Sequence, residues 1–294
     1  MKSHLKGSLD HIHRHGDYLS HGALMSKFAH NPSVEYRHAS FLFEGGRWQG
    51  SHWGRLDELE PIPDALVIGH SDLIITGDIA NKIKSEIGIP AIYASNLSEE
   101  ALSIPGVFDL PLGIPNKDRS TRTHRIQSSR RAIRRAWKHS KAHRSDQFRG
   151  VNANFAARTN PEERSPILEV VADSPHLYSG TFAVSNRGRL TDLREIGFRG
   201  LNICPPGNGP DTHRVWETLL MGAFPVVIAG DHASRLMEDL SLPCVRLDKW
   251  ADLRDQERLS LEFEALRKTE WDYQPLTTSF WTREIGKKKT IPPS

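Results

Sequence analysis

One stretch constrains the fold more than any other: "FRGLNICPPGNGPDTHRVWETLLMGAFPVVIAG", residues 198–230. "FRGLNICP" reads as a strand, "PDTHRVWETLLMG" as a helix closed by Gly222, and "FPVVIAG" as a second strand. Strands joined through a helix run parallel, because a tight hairpin can only reverse direction. Their unbroken apolar character suits strands buried on both faces. A chain with such a segment is expected to be α/β with a parallel sheet.

The pattern extends along the chain. "DALVIG" reads as a strand, "GDIANKIKSEIG" as a helix closed by Gly88, "IPAIYAS" as a strand, "SEEALSI" as a short helix and "VFDLPLGI" as a third strand. A second alternation starts at 149 with the strand "RGVNANFA". It continues with the helix "NPEERSPILEVVADS", Asn160 as its cap and Pro161 in its first turn, and with the helix "LTDLREIG". "HASRLMEDLS", "PCVRLD" and the polar-faced helix "DLRDQERLSLEFEALRK" follow residues 198–230. Residues 1–60 read as loops with one or two short elements. The expected domains are 1–145, including a basic linker helix over about 119–144, and 146–294.

The start of the central helix carries the chemistry. A helix N-terminus offers free N–H groups and the positive end of the macrodipole. After a parallel strand it sits at the carboxyl edge of the sheet, where ligands bind in open α/β folds. Glycines let the backbone approach an anion closely. "GNGPDTHR" therefore suits a phosphate or diphosphate, with Arg214 adding a bidentate contact. Glu217, nearly one turn on, is placed to accept from two ribose hydroxyls. The bland alternative stands beside it: Gly207 and Gly209 make a turn, Asp211 caps the helix, and Arg214 pairs with Glu217. Neither a P-loop nor a GxGxxG fingerprint is present.

"LNICPPGNGPDTHRVWETLLMGAFPVV" resembles the donor-binding segment of exostosin-like glycosyltransferases, typically "CPRGNGxDTHRxWEALxxGxxPVV". "VNANFAARTNPEERSPILEVVADSP" looks like the first strand and helix of the same domain; "VIGHSD" and "LPLGIPN" match the N-terminal half more weakly. The resemblance covers about residues 150–250, a third of the chain. It implies the GT-B architecture: two Rossmann-type parallel-sheet domains facing a cleft, the N-terminal one here reduced. It implies a polysaccharide-building enzyme that moves a sugar from a nucleotide diphosphate sugar, with UDP the expected nucleotide, to a glycan or other hydroxyl. Inversion, and no metal or other cofactor, are implied as well.

By the resemblance, Arg214 sits on the diphosphate and Glu217 on the ribose. Gly207, Asn208, Gly209, Asp211, Thr212 and His213 shape the pocket, and Arg158 and Arg164 are further anion contacts. Where the family carries an arginine after "CP", this chain has Pro206 and one cation fewer. The base is expected from the N-terminal domain. "GHSD" follows the strand "ALVI", which makes Asp72 the candidate base and His70 its assistant, with Glu35 and Glu44 in reserve. Tyr36, Trp48 and Trp53 are either acceptor-stacking rings or core.

Charge is uneven. Residues 117–149 hold twelve Lys or Arg against two Asp, net +10; the whole chain is +3, so the remainder is −7. This local basicity reads as a solvated face, a docking surface for an anionic acceptor, or a contact with an anionic membrane surface. It also leaves a nucleic-acid-binding protein acting through 119–144 as an alternative of another class, beside a non-catalytic sugar-nucleotide or glycan binder. "HIHRH" (His11, His13, His15) reads as a solvated tail rather than a metal site, and Cys204 and Cys244 as buried thiols. With no apolar run near the roughly 18 residues of a span and no signal peptide, the expected location is cytoplasmic, with peripheral membrane contact allowed.

Overall fold

The structure is a computed structural model that describes residues 7–38, 56, 59–69, 74–116, 122–143, 147–180 and 184–287. The described chain is α/β with two parallel sheets. The first holds β1 (Val34–His38), β2 (Ala65–Gly69), β3 (Ala91–Ala94) and β4 (Val107–Asp109), in the order β1-β2-β3-β4. The second holds β5 (Val151–Asn152), β6 (Leu177–Tyr178), β7 (Leu201–Ile203), β8 (Phe224–Ile228) and β9 (Val245–Leu247), in the order β6-β5-β7-β8-β9. Every pairing within them is parallel.

The second order matters for function. The chain starts at β5, steps out to β6, then crosses back to lay β7 on the other side of β5. That reversal makes β5/β7 the topological switch point, where loops diverge and leave a crevice at the carboxyl ends. The core behind it joins Val151, Ile167, Leu201, Ile203, Val226, Val245 and Leu259, all fully buried. Pro225 is tolerated inside β8 for a local reason. Phe224 donates to Gly200 O and Val226 O accepts from Cys204 N, so Pro225 faces away from β7. On its other side β9 begins only opposite Val226, so no ladder bond is lost.

Two compact units emerge. Counting the described residues within them, one comprises Met1–Tyr18, Gly113–Asn208 and Thr212–Thr277; the other comprises Leu19–Leu112, Gly209–Asp211 and Thr278–Ser294. The chain thus changes unit at 18/19, 112/113 and 277/278, with the short stretch Gly209–Asp211 also grouped with the second unit. The basic segment packs along the Asn186–Arg199 helix. It is also two helices, Arg122–Gln127 and Arg130–His143, with Ser129 Oγ accepting from Ala132 N at the second start. Ile126, Ile133 and Trp137 are buried as their spacing implied.

Residues 1–60 were expected as loops with one or two short elements; their described part holds the Leu9–His15 and His21–Phe28 helices and the edge strand β1. Ser8 and Ser20 cap the two helices through their hydroxyls. His13 is buried within the first of them, so "HIHRH" is not a solvated tail.

Gly200 ends the Asn186–Arg199 helix with φ 82° and leads straight into β7. A Cβ there would lie 2.4 Å from Phe263 Cε2, on top of the left-handed strain. Gly200→Ala is expected to cost roughly 1–3 kcal/mol, read as a lower midpoint in urea unfolding.

Candidate anion site at the sheet switch point

Just past β5 the chain reaches Asn154 and Phe155; just past β7 it reaches Cys204, Pro205 and Pro206. Thr212 then caps the His213–Leu220 helix, its Oγ1 accepting from Arg214 N at 3.4 Å. Between these carboxyl ends lies a hollow of about 160 Å³. Phe155, Pro115 and Pro205 wall it, Thr212, His213, Arg214 and Glu217 come from the helix start, and Arg164, Arg189 and Gln127 complete it.

A network of four charges forms one side. Glu217 accepts from Arg189 through both oxygens: Oε1 from Nη2, and Oε2 from Nη1 at 3.1 Å. Arg214 Nη1 donates to Asp192 Oδ2 at 2.7 Å and stands 3.9 Å from Glu217 Oε2. Asp192 Oδ1 accepts from Asn154 Nδ2 at 2.7 Å. The side chains of Arg189, Asp192 and Glu217 are 4, 2 and 5 % exposed, against 14 % for Arg214. Arg214 therefore does pair, but chiefly with Asp192 rather than with Glu217.

These surroundings fix the charge states. Burial alone pushes the Glu217 carboxyl up, but Arg189 and Arg214 together pull it below the ordinary carboxylate range. Burial likewise opposes the Arg214 cation, and Asp192 and Glu217 more than offset it, so its pKa stands above the usual guanidinium value. Two acids balance two arginines, and Arg164 adds a third positive charge. Burial and the nearby Arg214 cation lower the Arg164 pKa. Among the described residues Arg189 Nε is buried without a partner. Among the described residues, the side-chain hydrogen bond and ion pairs of Arg214 run through Nη1, not through Nε or Nη2.

The remaining expected site residues divide. Thr212 and His213 line the hollow. His213 Nδ1 lies 2.6 Å from Gly113 O, which only accepts, so Nδ1 carries the proton in the neutral ring. Arg164 lines it too, but its guanidinium is spent on carbonyls: Nε on Pro206 O, Nη1 on Ala156 O and Nη2 on Pro205 O. It is a strut for the turn whose charge is felt in the hollow.

Gly207, Asn208, Gly209 and Asp211 do not line the hollow. Neither glycine has a left-handed backbone, and Gly207 O accepts from Asn160 Nδ2 at 3.0 Å. Asn160 thus ties the turn back instead of capping its own helix with its side chain. Asp211 does not cap either; it accepts from Leu112 N at 2.7 Å, and its own N–H donates to Asn96 Oδ1. Arg158 is exposed and also outside the hollow.

His70, Asp72, Glu44, Trp48 and Trp53 lie outside the described residues. Beside the end of β2, the backbone of Gly69 runs hard against His21 Nδ1 and Tyr36 Oη; any Cβ there would overlap both. His21 Nε2 donates to Pro111 O, and Nδ1 accepts from Tyr36 Oη at 3.1 Å. Tyr36 is thus engaged through its hydroxyl, and burial raises its pKa. Glu35 is paired with Arg37 at 2.9 Å.

Arg189, Asp192, Gln127, Phe155 and Pro115 line or support the hollow without belonging to the motif that marks it in the sequence. A signal existed for the first two: Arg189 and Asp192 are i, i+3 on one helix, normally a surface pair. The helix itself starts earlier than expected, at Asn186, with Ser185 Oγ accepting from Gly188 N. "NRG" resembles a turn, which hid that start.

Beneath the hollow a polar ladder pins the helix to the strands. Asn152 Nδ2 donates to Asn202 Oδ1 at 2.6 Å, Asn202 Nδ2 to Thr218 Oγ1 at 2.7 Å, and Thr218 Oγ1 to Arg214 O at 2.6 Å. Cys204 sits in this ladder with its thiol pushed up to about 12 by burial, a neutral filler and no nucleophile. Cys244 is buried as well.

A larger hollow of about 430 Å³ lies at the opposite edge of the same sheet, reaching Gly200 and Phe224 at the starts of β7 and β8. Its walls mix aromatic rings with polar and charged side chains, and its Lys141 is already paired with Asp10. Size favours it; the convergence of three arginines at the switch point favours the smaller one as the anion site. Among the described residues no three His, Cys, Asp or Glu side chains gather as a metal site, and no helix is long and apolar enough to cross a membrane. The sequence matches no protein-family model and no curated protein.

Proposed function

We propose that the chain is a glycosyltransferase of GT-B architecture, similar to the exostosin-like enzymes, which uses a nucleotide diphosphate sugar as donor. One observation carries the reading. At the switch point of a Rossmann-type sheet, a helix N-terminus and three arginines surround one hollow, with a carboxylate at its wall.

In this reading the diphosphate takes the Nε–Nη2 edge of Arg214 and the positive field of Arg164, Arg189 and the helix start. The same groups stabilise the negative charge that builds on the leaving diphosphate, so no metal is required. Glu217 keeps one lone pair on each oxygen beyond those used by Arg189, and these accept from the ribose hydroxyls. A hollow of about 160 Å³ holds the diphosphate end; nucleoside and sugar extend past Phe155 and Gln127. Gln127 makes no hydrogen bond through its side chain among the described residues, which leaves its amide for the ligand.

Asp72, with His70, remains the proposed base for an inverting transfer. The acceptor is a glycan or other hydroxyl compound. An anionic acceptor is favoured by the exposed Arg131, Arg135 and Lys138 on the Arg130–His143 helix, which contains no acid. A cytoplasmic location, with peripheral contact at an anionic membrane, belongs to the same proposal.

A thermal-shift screen of UDP, GDP, ADP and CMP tests the donor side. A nucleotide at 100 times its Kd is expected to stabilise the protein by about 2.7 kcal/mol, and Arg214→Ala to abolish the shift. No shift with any of them removes the transferase reading. Turnover separates the enzyme from a non-catalytic binder: nucleotide release in the presence of acceptor, lost in Asp72→Asn. Tight, salt-steep RNA or DNA binding without nucleotide binding favours the nucleic-acid alternative.

A further inference from the structure

We infer that Asp192 is a positioning residue of the anion site and acts through Arg214; the inference rests on the reading of that hollow as a diphosphate site. Asp192 does not line the hollow itself. Its carboxylate joins the two strand ends that make the switch point. Oδ1 holds Asn154, two residues beyond β5, and Oδ2 holds Arg214, the second residue of the helix that follows β7. Arg189 Nη1 is 3.6 Å from the same Oδ2. The charged groups facing Asp192 are therefore Arg189 and Arg214, with Glu217 behind them.

Holding Nη1 leaves the Nε–Nη2 edge of Arg214 as the edge presented to a ligand. That edge donates two parallel N–H bonds, and their worth depends on orientation. Without Asp192 the guanidinium swings on a flexible stem. Among the described residues its remaining acid partner is Glu217, which lies 3.9 Å away and is already held by Arg189.

Charge and orientation make opposite forecasts for Asp192→Asn, and this gives the test its force. The substitution keeps the size of the side chain and removes a negative charge from beside the anion site. If charge alone governed affinity, the anion would bind more tightly. If Asp192 positions Arg214, it binds more weakly in spite of the added positive charge. A misplaced guanidinium forfeits the two parallel bonds on which bidentate anion recognition depends.

The experiment measures binding of inorganic pyrophosphate to the full chain by titration calorimetry, with melting temperature recorded for each variant. Asp192→Asn is expected to weaken binding about tenfold or more, the usual worth of a hydrogen bond to a charged group. In an Arg214→Lys background the same change is expected to alter affinity by less than about threefold, because the effect passes through the guanidinium. Unchanged or tighter binding in Asp192→Asn overturns the inference, and so does an equal loss in both backgrounds. If Asp192→Asn does not fold, Asp192→Glu carries the test: it keeps the charge but displaces it by a methylene. Wild-type affinity in Asp192→Glu overturns the inference, and so does failure of both variants to fold, which would make Asp192 a folding residue only. Wild-type protein that binds pyrophosphate but releases no nucleotide from sugar nucleotides sinks the transferase reading alone. Wild-type protein that does not bind pyrophosphate sinks both.

Discussion

Arg189→Ala is expected to cost the fold about 3–5 kcal/mol, the usual loss when one partner of a buried ion pair is removed. The physical reason is Glu217. Its carboxylate is 5 % exposed and takes both of its shortest contacts from Arg189. With Arg189 gone, Glu217 is left with Arg214, whose Nη1 donates to Asp192 and stands 3.9 Å from Glu217 Oε2. The buried carboxylate must then stay charged without its partner or take up a proton.

The paired substitution Arg189→Met/Glu217→Leu separates stability from function. Exchanging a buried pair for apolar groups of similar size is often neutral or stabilising, so this variant is expected to stay within about 1–2 kcal/mol of wild type. It is nonetheless expected to bind no nucleotide. Urea unfolding of both variants reads the contrast, and a cost below about 1 kcal/mol for Arg189→Ala would show that the pair is not the anchor described. The pH dependence has a defined sign. The folded Glu217 pKa lies below its unfolded value, so its contribution is complete above the ordinary carboxylate range. It is lost as pH falls through the depressed folded value.

His13 gives the second large effect, at higher pH. Burial brings its pKa down from 6.5 to about 4. Its Nε2 donates to Leu220 O at 2.7 Å and its Nδ1 accepts from Tyr18 Oη at 2.9 Å, while the ring stacks on Trp137 at 4.7 Å. The neutral ring therefore fits this site and the imidazolium does not. Asp10 favours the charged form slightly and Arg134 opposes it.

The unfolded chain takes up a proton near pH 6.5 that the folded chain refuses until about pH 4. Stability is thus whole above pH 6.5 and falls through that window, by about 3 kcal/mol at its lower end. Urea midpoints measured from pH 7.5 to 4 are expected to follow this slope, and His13→Gln to flatten it. An unchanged slope in that variant would assign the pH dependence to other groups.

Much of the framework was legible because it rests on local periodicity. The apolar runs at 65–69, 91–94, 201–203 and 224–228 and the intervening helices are set by their own residues. Gly88 and Gly222 sit at helix ends with φ 79° and 65°, as glycines in that place do. Where periodicity was weak, elements were missed: β1, the start of the Asn186–Arg199 helix, and the last helix, Thr278–Gly286. β6 is two residues long and carries no pattern of its own; it is a strand because β5 lies beside it.

The sequence by itself determined that this chain is α/β with parallel strands, and that a helix after a buried strand opens around Asp211, Thr212, His213 and Arg214. Both follow from short-range rules, in which the next few residues decide the outcome. Only the tertiary structure decided which groups meet there. Arg189 and Asp192 come from another helix, Phe155 from the end of a strand some 50 residues earlier, and Asp211 turns away to Leu112. Strand order made those choices, because crossing back from β6 to β7 is what brings these distant segments to one edge, and no local pattern encodes that crossing.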